Sequence, residues 1–350
     1  MKTLERFAAG LDSIPTPVAW YLEEIAESRG RQELYLRQSP QVLQALREHA
    51  LIESAISSNR IEGVEVEQSR VATLVFGRAA LRDRNEEEVR GYRDALNLIH
   101  AKAAALPITE QTLLDLHRLS RGGAPDGGLY KSRDVDIVQT LADGSSRIRF
   151  RTVPAAETPA AMDGLFRLWT TCTDGSRTPF LILLAGLDLD LLCIHPFRDG
   201  NGRVSRLLLL LGCYRGGVEA GRYISLERIV EENKEQYYDS LERSSAGWHE
   251  GRHDPWPYIR FVLFVIKSAC RELEARVGQM ASPRDAKTQL VEQALMGMDG
   301  EFGLSDLERA CPGVSRDMIR KVLKDLRRAG RLTCTGRGPA ARWRREGNWS

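Results

Sequence analysis

The chain has 350 residues, 42% of them hydrophobic, with 50 Lys and Arg against 48 Asp and Glu for a formal net charge of +2. Such a composition supports a sizeable core divided among more than one domain and excludes a disordered chain. The charge is uneven, since from Arg284 to the end 14 Lys and Arg face 9 Asp and Glu. The six cysteines are scattered without a CxxC pair, several inside apolar runs, which points to a reducing, cytoplasmic setting. The N-terminus lacks the pattern of a secretory signal, and the apolar run 180–194 is short and broken by Asp188 and Asp190, so no membrane segment is expected.

In chain order, residues 1 to about 20, with Pro15 and Pro17, read as an extended lead-in. Helical spacing follows at 20–28 and 40–49, then in 52–63, where Ser58 and Glu62 share a face and Gly63 is placed to end the helix. Further helices are predicted at 68–81, 86–106 and 109–119, the last capped by Thr109. A Gly-rich loop from Arg121 to Gly128 precedes two short alternating runs, 133–138 and 147–153, joined by the turn signal Ala142-Asp143-Gly144. A lone hairpin in a helical protein is a candidate flap over a site. Helices are expected at 160–170, 180–194, 226–244 and 255–276, and Ala281-Ser282-Pro283 reads as a linker. Beyond it, three helical patterns (287–298, 304–311 and 315–329, the last two separated by Pro312-Gly313) and two strands around the loop Gly336 to Pro339 resemble a winged helix-turn-helix.

Between the apolar runs 180–194 and 207–211 lies His195-Pro196-Phe197-Arg198-Asp199-Gly200-Asn201-Gly202-Arg203-Val204-Ser205-Arg206. Each residue alone has an ordinary structural reading, but so dense a polar cluster between buried helices is costly unless something binds there. A helix beginning near Asn201 leaves its first amides free to take phosphate, Gly200 and Gly202 permit close approach, and Arg203 and Arg206 can take separate phosphate groups. Asp199 beside bound phosphates suits Mg²⁺, and His195 suits a general base.

The segment matches every defined position of the HxFx(D/E)GNGRxxR motif, and the chain thereby resembles Fic (filamentation induced by cAMP) domain proteins. The resemblance implies a mainly α fold: a Fic-type helical bundle with a β-hairpin flap, followed by the winged helix-turn-helix domain. It divides the chain into an N-terminal helical region (1–105), a catalytic core (106–280) and a winged helix domain (284–350). It implies transfer of AMP from ATP to a Ser, Thr or Tyr hydroxyl of a target protein. His195 would then be the base, Phe197 the loop anchor and Asp199 the Mg²⁺ ligand. Asn201 would steady the α-phosphate beside the Gly200 amide, Gly202 and Arg203 would serve the β-phosphate, and Arg206 the γ-phosphate. The related Doc toxins, which phosphorylate their target, depart from the motif around Gly202, so its retention here favours AMP transfer.

Ser58-x-x-x-Glu62-Gly63 resembles the inhibitory (S/T)xxxE(G/N) motif of family members that carry their own brake. This implies an ion pair between Glu62 and Arg206 in place of the γ-phosphate, and leaves open whether Glu62 also orients water for AMP removal. The hairpin resembles the target-docking flap, with Ile137 near the rim. Tyr238, Leu241 and Ser245 resemble the adenine pocket, where relatives often have Asn in place of Ser245. Residues 315–345 carry a basic helix (Arg316, Arg320, Lys321, Lys324, Arg327, Arg328) that suits DNA, although Asp317 and Asp325 interrupt it. The competing function is a DNA-binding regulator whose Fic core senses nucleotide with little turnover. Whether the chain pairs as a homodimer is left open.

Overall fold

The computed structural model describes every residue except 1, 12, 37–39, 78–79, 141–144, 176, 280–282, 299, 312–313, 337, 339–340 and 347–350. Its helices in chain order are α1 (Lys2–Ala8), α2 (Thr16–Leu36), α3 (Pro40–Ile61), α4 (Val71–Phe76), α5 (Arg84–Lys102), α6 (Glu110–Ser120), α7 (Thr158–Gly175), α8 (Phe180–Ile194), α9 (Asn201–Arg215), α10 (Leu226–Glu232), α11 (Lys234–Ser245), α12 (Trp256–Gln279), α13 (Pro283–Met296), α14 (Leu304–Ala310) and α15 (Arg316–Arg328). The strands are β1 (Ile137–Thr140), β2 (Ser146–Phe150), β3 (Glu301–Gly303), β4 (Leu332–Thr335) and β5 (Arg342–Arg345).

α8 is the centre of packing. Every residue from Leu181 to Ile194 is buried, and α1, α7, α9, α11 and α12 surround it. Its two aspartates have specific partners: Asp190 accepts the Thr3 and Leu4 amides at 3.0 Å each and the Trp248 indole N–H at 2.6 Å, and Asp188 accepts the Tyr258 hydroxyl. Asp190 thus caps α1, whose Leu4 and Phe7 are buried. The expected extended lead-in is therefore partly helical, because a carboxylate 186 residues away satisfies the free amides of α1.

Other elements differ from expectation in extent. α3 is continuous from Pro40 to Ile61, joining two predicted pieces. The helix predicted over 226–244 breaks at Asn233, whose side-chain amide turns back to the Ile229 carbonyl at 2.8 Å. Thr109 and Ser315 cap α6 and α15 through their hydroxyls. The hairpin pairs β1 with β2 antiparallel, Val138 opposite Ile148 and Gln139 opposite Arg147, and both strands are shifted toward the turn relative to the expected runs 133–138 and 147–153. Its predicted turn, Ala142 to Gly144, lies outside the described residues, as do Ala281-Ser282 and Pro312-Gly313.

Buried side chains from Leu4 to Val277 make one core, and those from Leu290 to Leu332 make a second. The second belongs to α13, α14 and α15 and an antiparallel sheet of order β3-β5-β4. Strand β3, absent from the sequence reading, is three residues long and too short for an alternation signal. Among the described residues no helix is long and apolar enough to cross a membrane.

Candidate active site

The polar segment lies where α8 hands over to α9. His195 ends α8 in the left-handed region, φ 53°, and is the one non-glycine with positive φ among the described residues. Such strain in a β-carbon residue is held only where the surroundings enforce it. Here Lys131 enforces it: its amide donates to the Pro196 carbonyl at 2.9 Å, and its ammonium to the Ile194 carbonyl at 3.2 Å and Thr152 Oγ1 at 2.7 Å. His195 Nδ1 lies 3.3 Å from the Leu192 carbonyl. A carbonyl only accepts, so Nδ1 carries the proton and Nε2 keeps its lone pair. Burial, reinforced by the Lys131 charge, lowers the His195 pKa from 6.5 to about 4. The imidazole is neutral, and basic at Nε2, at physiological pH.

Phe197 is wholly buried and stacks on His117 with centroids 3.6 Å apart. His117 Nδ1 accepts from the Gly128 amide and its Nε2–H donates to the Asp199 carbonyl, both at 2.9 Å. Asn201 Oδ1 accepts from the Phe197 amide at 3.0 Å, and its Nδ2 donates to the Phe197 carbonyl at 2.8 Å. Both polar ends cross-brace the loop, and the second N–H of Nδ2 is left over from these two bonds.

Gly200 sits at φ 84°, a conformation the turn into α9 requires. Val204 is the first amide of α9 bonded back along the chain, to the Gly200 carbonyl, and the amides of 201–203 reach no backbone carbonyl among the described residues. A Cβ at Gly202 would displace the Glu62 carboxylate and stand 3.1 Å from Arg206 Nη1. Glu62, 29% exposed, reaches in from the end of α3 and pairs with Arg206 at 2.8 Å. Arg206 also donates from Nε to Ser58 Oγ at 2.8 Å and from Nη2 to the Ser58 carbonyl at 2.9 Å. Burial alone would lower the Arg206 pKa, but Glu62 together with Tyr237 and Tyr92 more than offsets it and the net direction is upward. Arg206 is a permanent cation.

Arg203 is held from beneath the loop. It is 1% exposed, with Nη1 on Glu88 Oε2 at 2.6 Å and Nη2 on Asp199 Oδ1 at 3.3 Å. Asp199 Oδ2 accepts from Arg121 at 2.5 Å, and Glu88 Oε1 from the same Arg121 nitrogen at 2.7 Å. Although burial pushes the Asp199 pKa up, Arg203 and Arg121 bring it below the ordinary value. Sequence reasoning missed Arg121, Glu88 and His117. Glu88 was detectable, because it falls on the face of α5 otherwise made by Gly91, Tyr92 and Ala95, where a carboxylate needs a partner.

Beside His195 opens a cavity of about 250 Å³ whose lining includes Glu62, Gly202, Tyr238, Leu241 and Ser245, with Ile137 and Phe150 of the hairpin opposite. Residues the sequence picked separately, from α3, the hairpin, α9 and α11, thus converge on one space. Residues 107–212 match the protein-family model described as Fic/DOC family. The matched stretch is similar to the Fic/DOC family and holds the whole segment from His195 to Arg206.

A curated relative named Protein adenylyltransferase Fic, from Nematostella vectensis, is 26% identical over 248 residues, 69% of this chain and 52% of that protein. The protein of the same name from Drosophila melanogaster is 24% identical over 233 residues, 65% of this chain and 43% of that protein. The chain spans about half or less of the length of these relatives. Among solved structures, a Fic family protein from Desulfovibrio desulfuricans G20 has a TM-score of 0.60 at 23% identity, covering 97% of this chain and 98% of that one. A Fic domain containing signaling protein from Bacteroides thetaiotaomicron VPI-5482 has a TM-score of 0.57 at 22% identity, covering 75% and 98%. These two likenesses concern the fold alone.

Proposed function

We propose that the chain is a self-inhibited protein adenylyltransferase, transferring AMP from ATP to a hydroxyl side chain of a target protein. The observation that carries this reading is the Glu62–Arg206 ion pair, whose carboxylate lines the same cavity as His195. In the active state the ATP phosphates take the place of the Glu62 carboxylate at the free amides of 201–203, with Arg206 as their counter-charge. His195 Nε2 removes the proton of the target hydroxyl, whose oxygen bonds to the α-phosphorus as the bond to the β-phosphate oxygen breaks and pyrophosphate leaves. Tyr238 and Leu241 line the far side of the cavity where the base would lie, and Ile137 on the flap meets the target.

Asp199 fits a Mg²⁺ ligand: its carboxyl is held ionised and its side chain is 53% exposed. The nucleotide and water would complete the set, and the ion would neutralise phosphate charge. The cross-braced Asn201 keeps the loop from His195 to α9 in one shape, so that base and carboxylate are held ready before the nucleotide arrives.

The C-terminal unit, with its exposed basic residues on α15, is proposed as a winged helix that docks on DNA and locates the enzyme. The reading is tested by incubating the full chain and candidate acceptor proteins with α-labelled ATP. Label is expected in Glu62→Gly, little in wild type, and none in Glu62→Gly with His195→Ala. Absence of label in all three sinks the transferase reading and leaves a nucleotide-sensing DNA regulator.

A further inference from the structure

Arg121 sits at the C-terminal end of α6, 78 positions before Asp199, outside the sequence motif. Two glycines bring it there. A Cβ on Gly91 of α5 would collide with the Leu119 carbonyl, and one on Gly122 with the Glu87 carbonyl, so the backbones of α5 and the end of α6 meet without side chains between them. Glu88, one turn before Gly91, is thereby placed beneath the Arg121 guanidinium. Arg121 is 7% exposed and surrounded by three carboxylates: Glu88 at 2.7 Å, Asp199 at 2.5 Å and Asp126 at 3.4 Å. Arg203, the other guanidinium on Asp199, has Glu88 as its anchor as well.

We infer that Arg121 is a positioning residue that competes with the divalent ion for Asp199 Oδ2 and makes ion binding depend on the nucleotide. The inference rests on the reading of Asp199 as the Mg²⁺ ligand. A bare divalent cation can reach Oδ2 only by displacing the Arg121 guanidinium, and Arg203 stands on Oδ1, so both oxygens are already taken by cations when the free ion arrives. A polyphosphate arriving with the ion supplies the negative charge that offsets both guanidiniums. Arg121 can then release Oδ2 without losing its partners, because Glu88 and Asp126 already hold it. Asp199 is kept in one orientation at rest and surrendered only to an ion that comes with phosphates.

Titration of the full chain with Mn²⁺, read from the free-ion paramagnetic resonance signal with and without ADP, tests this without any transfer step. Arg121→Gln is expected to tighten Mn²⁺ binding in the absence of ADP by about ten-fold or more, the order expected on removing a unit charge so near the ion. Adding Asp199→Asn to that variant should abolish the gain, and Arg121→Lys should keep the weak binding of wild type. Asp126→Asn, a change at a partly exposed side chain that leaves the buried contacts intact, should weaken Mn²⁺ binding in the presence of ADP by pushing Arg121 toward Asp199. Unchanged Mn²⁺ affinity in both Arg121→Gln and Asp126→Asn, or a gain that survives loss of the Asp199 carboxylate, overturns the role of Arg121. Failure of the labelling experiment alone would sink the transferase reading and leave these titrations intact.

Discussion

Glu62 Oε1 accepts a hydrogen bond from Arg206 Nη2 at 2.8 Å, and the same carboxylate fills the space above Gly202 at the start of α9. The two residues come from helices separated by 144 positions, and Ser58 ties them further, since both its hydroxyl and its carbonyl accept from Arg206. Arg206 is thus held by the last turn of α3 through three bonds.

Ser58→Ala removes one of the three and leaves the buried Arg206 Nε without an acceptor. The expected cost is about 1–3 kcal/mol of stability, the penalty for an unsatisfied buried donor. Because the lost bond belongs to the resting arrangement, labelled AMP transfer should rise above wild type while remaining below Glu62→Gly. A melting temperature and transfer rate both equal to wild type would contradict the coupling of Ser58 to the ion pair.

His195 should titrate far from the usual histidine range. Burial and Lys131 place its pKa near 4, so its imidazole NMR resonances are expected to stay in the neutral position down to about pH 5. A midpoint between 6 and 7 would show that the ring is more hydrated than its position implies. The same displacement sets a sign for stability. His117 is also lowered to about 4 by burial, so between pH 6.5 and 4 the unfolded chain binds more protons than the folded one at both rings. Stability contributed by these rings is therefore present above pH 6.5 and is lost as pH falls through that window.

Asn201→Ala separates loop bracing from phosphate contact. With both ends of the carboxamide on the Phe197 backbone, its loss frees the turn that carries His195 and Asp199. In the Glu62→Gly background kcat should fall by roughly 10²-fold, the scale of misplacing a catalytic group by about an ångström, with ADP affinity changed little. A large loss of ADP affinity at unchanged kcat would instead assign Asn201 to phosphate contact.

How far the sequence reaches depends on the range of the interactions involved. The apolar run of α8, the Thr109 and Ser315 caps, and the glycine turn into α9 were legible because each depends on neighbours within a few residues. α1 was not legible, since Asp190 supplies its cap from the middle of α8. Arg121 and Glu88 were missed for the same reason: their partners are 78 and 115 positions away, and only the backbone contact at Gly91 and Gly122 brings them together. The motif arginines were noticed as a pair, but their different burial partners, Glu88 for Arg203 and Glu62 with Ser58 for Arg206, are facts of packing.

The C-terminal unit carries a prediction of its own. On α15, Arg316 pairs with Glu308 at 2.8 Å, Arg320 with Asp317 at 3.4 Å and Arg328 with Asp325 at 3.5 Å, so half of the six basic residues are internally compensated. Lys321, Lys324 and Arg327 have no ion pair among the described residues, and Lys324 and Arg327 are exposed. If these three cations supply the phosphate contacts, binding to random duplex DNA should weaken with salt along a slope of about −3 in log affinity against log salt. Lys324→Ala should reduce that slope by about one while leaving AMP transfer unchanged, because α15 belongs to the second core. A binding constant indifferent to salt, or no binding at low salt, would assign this surface to a protein partner.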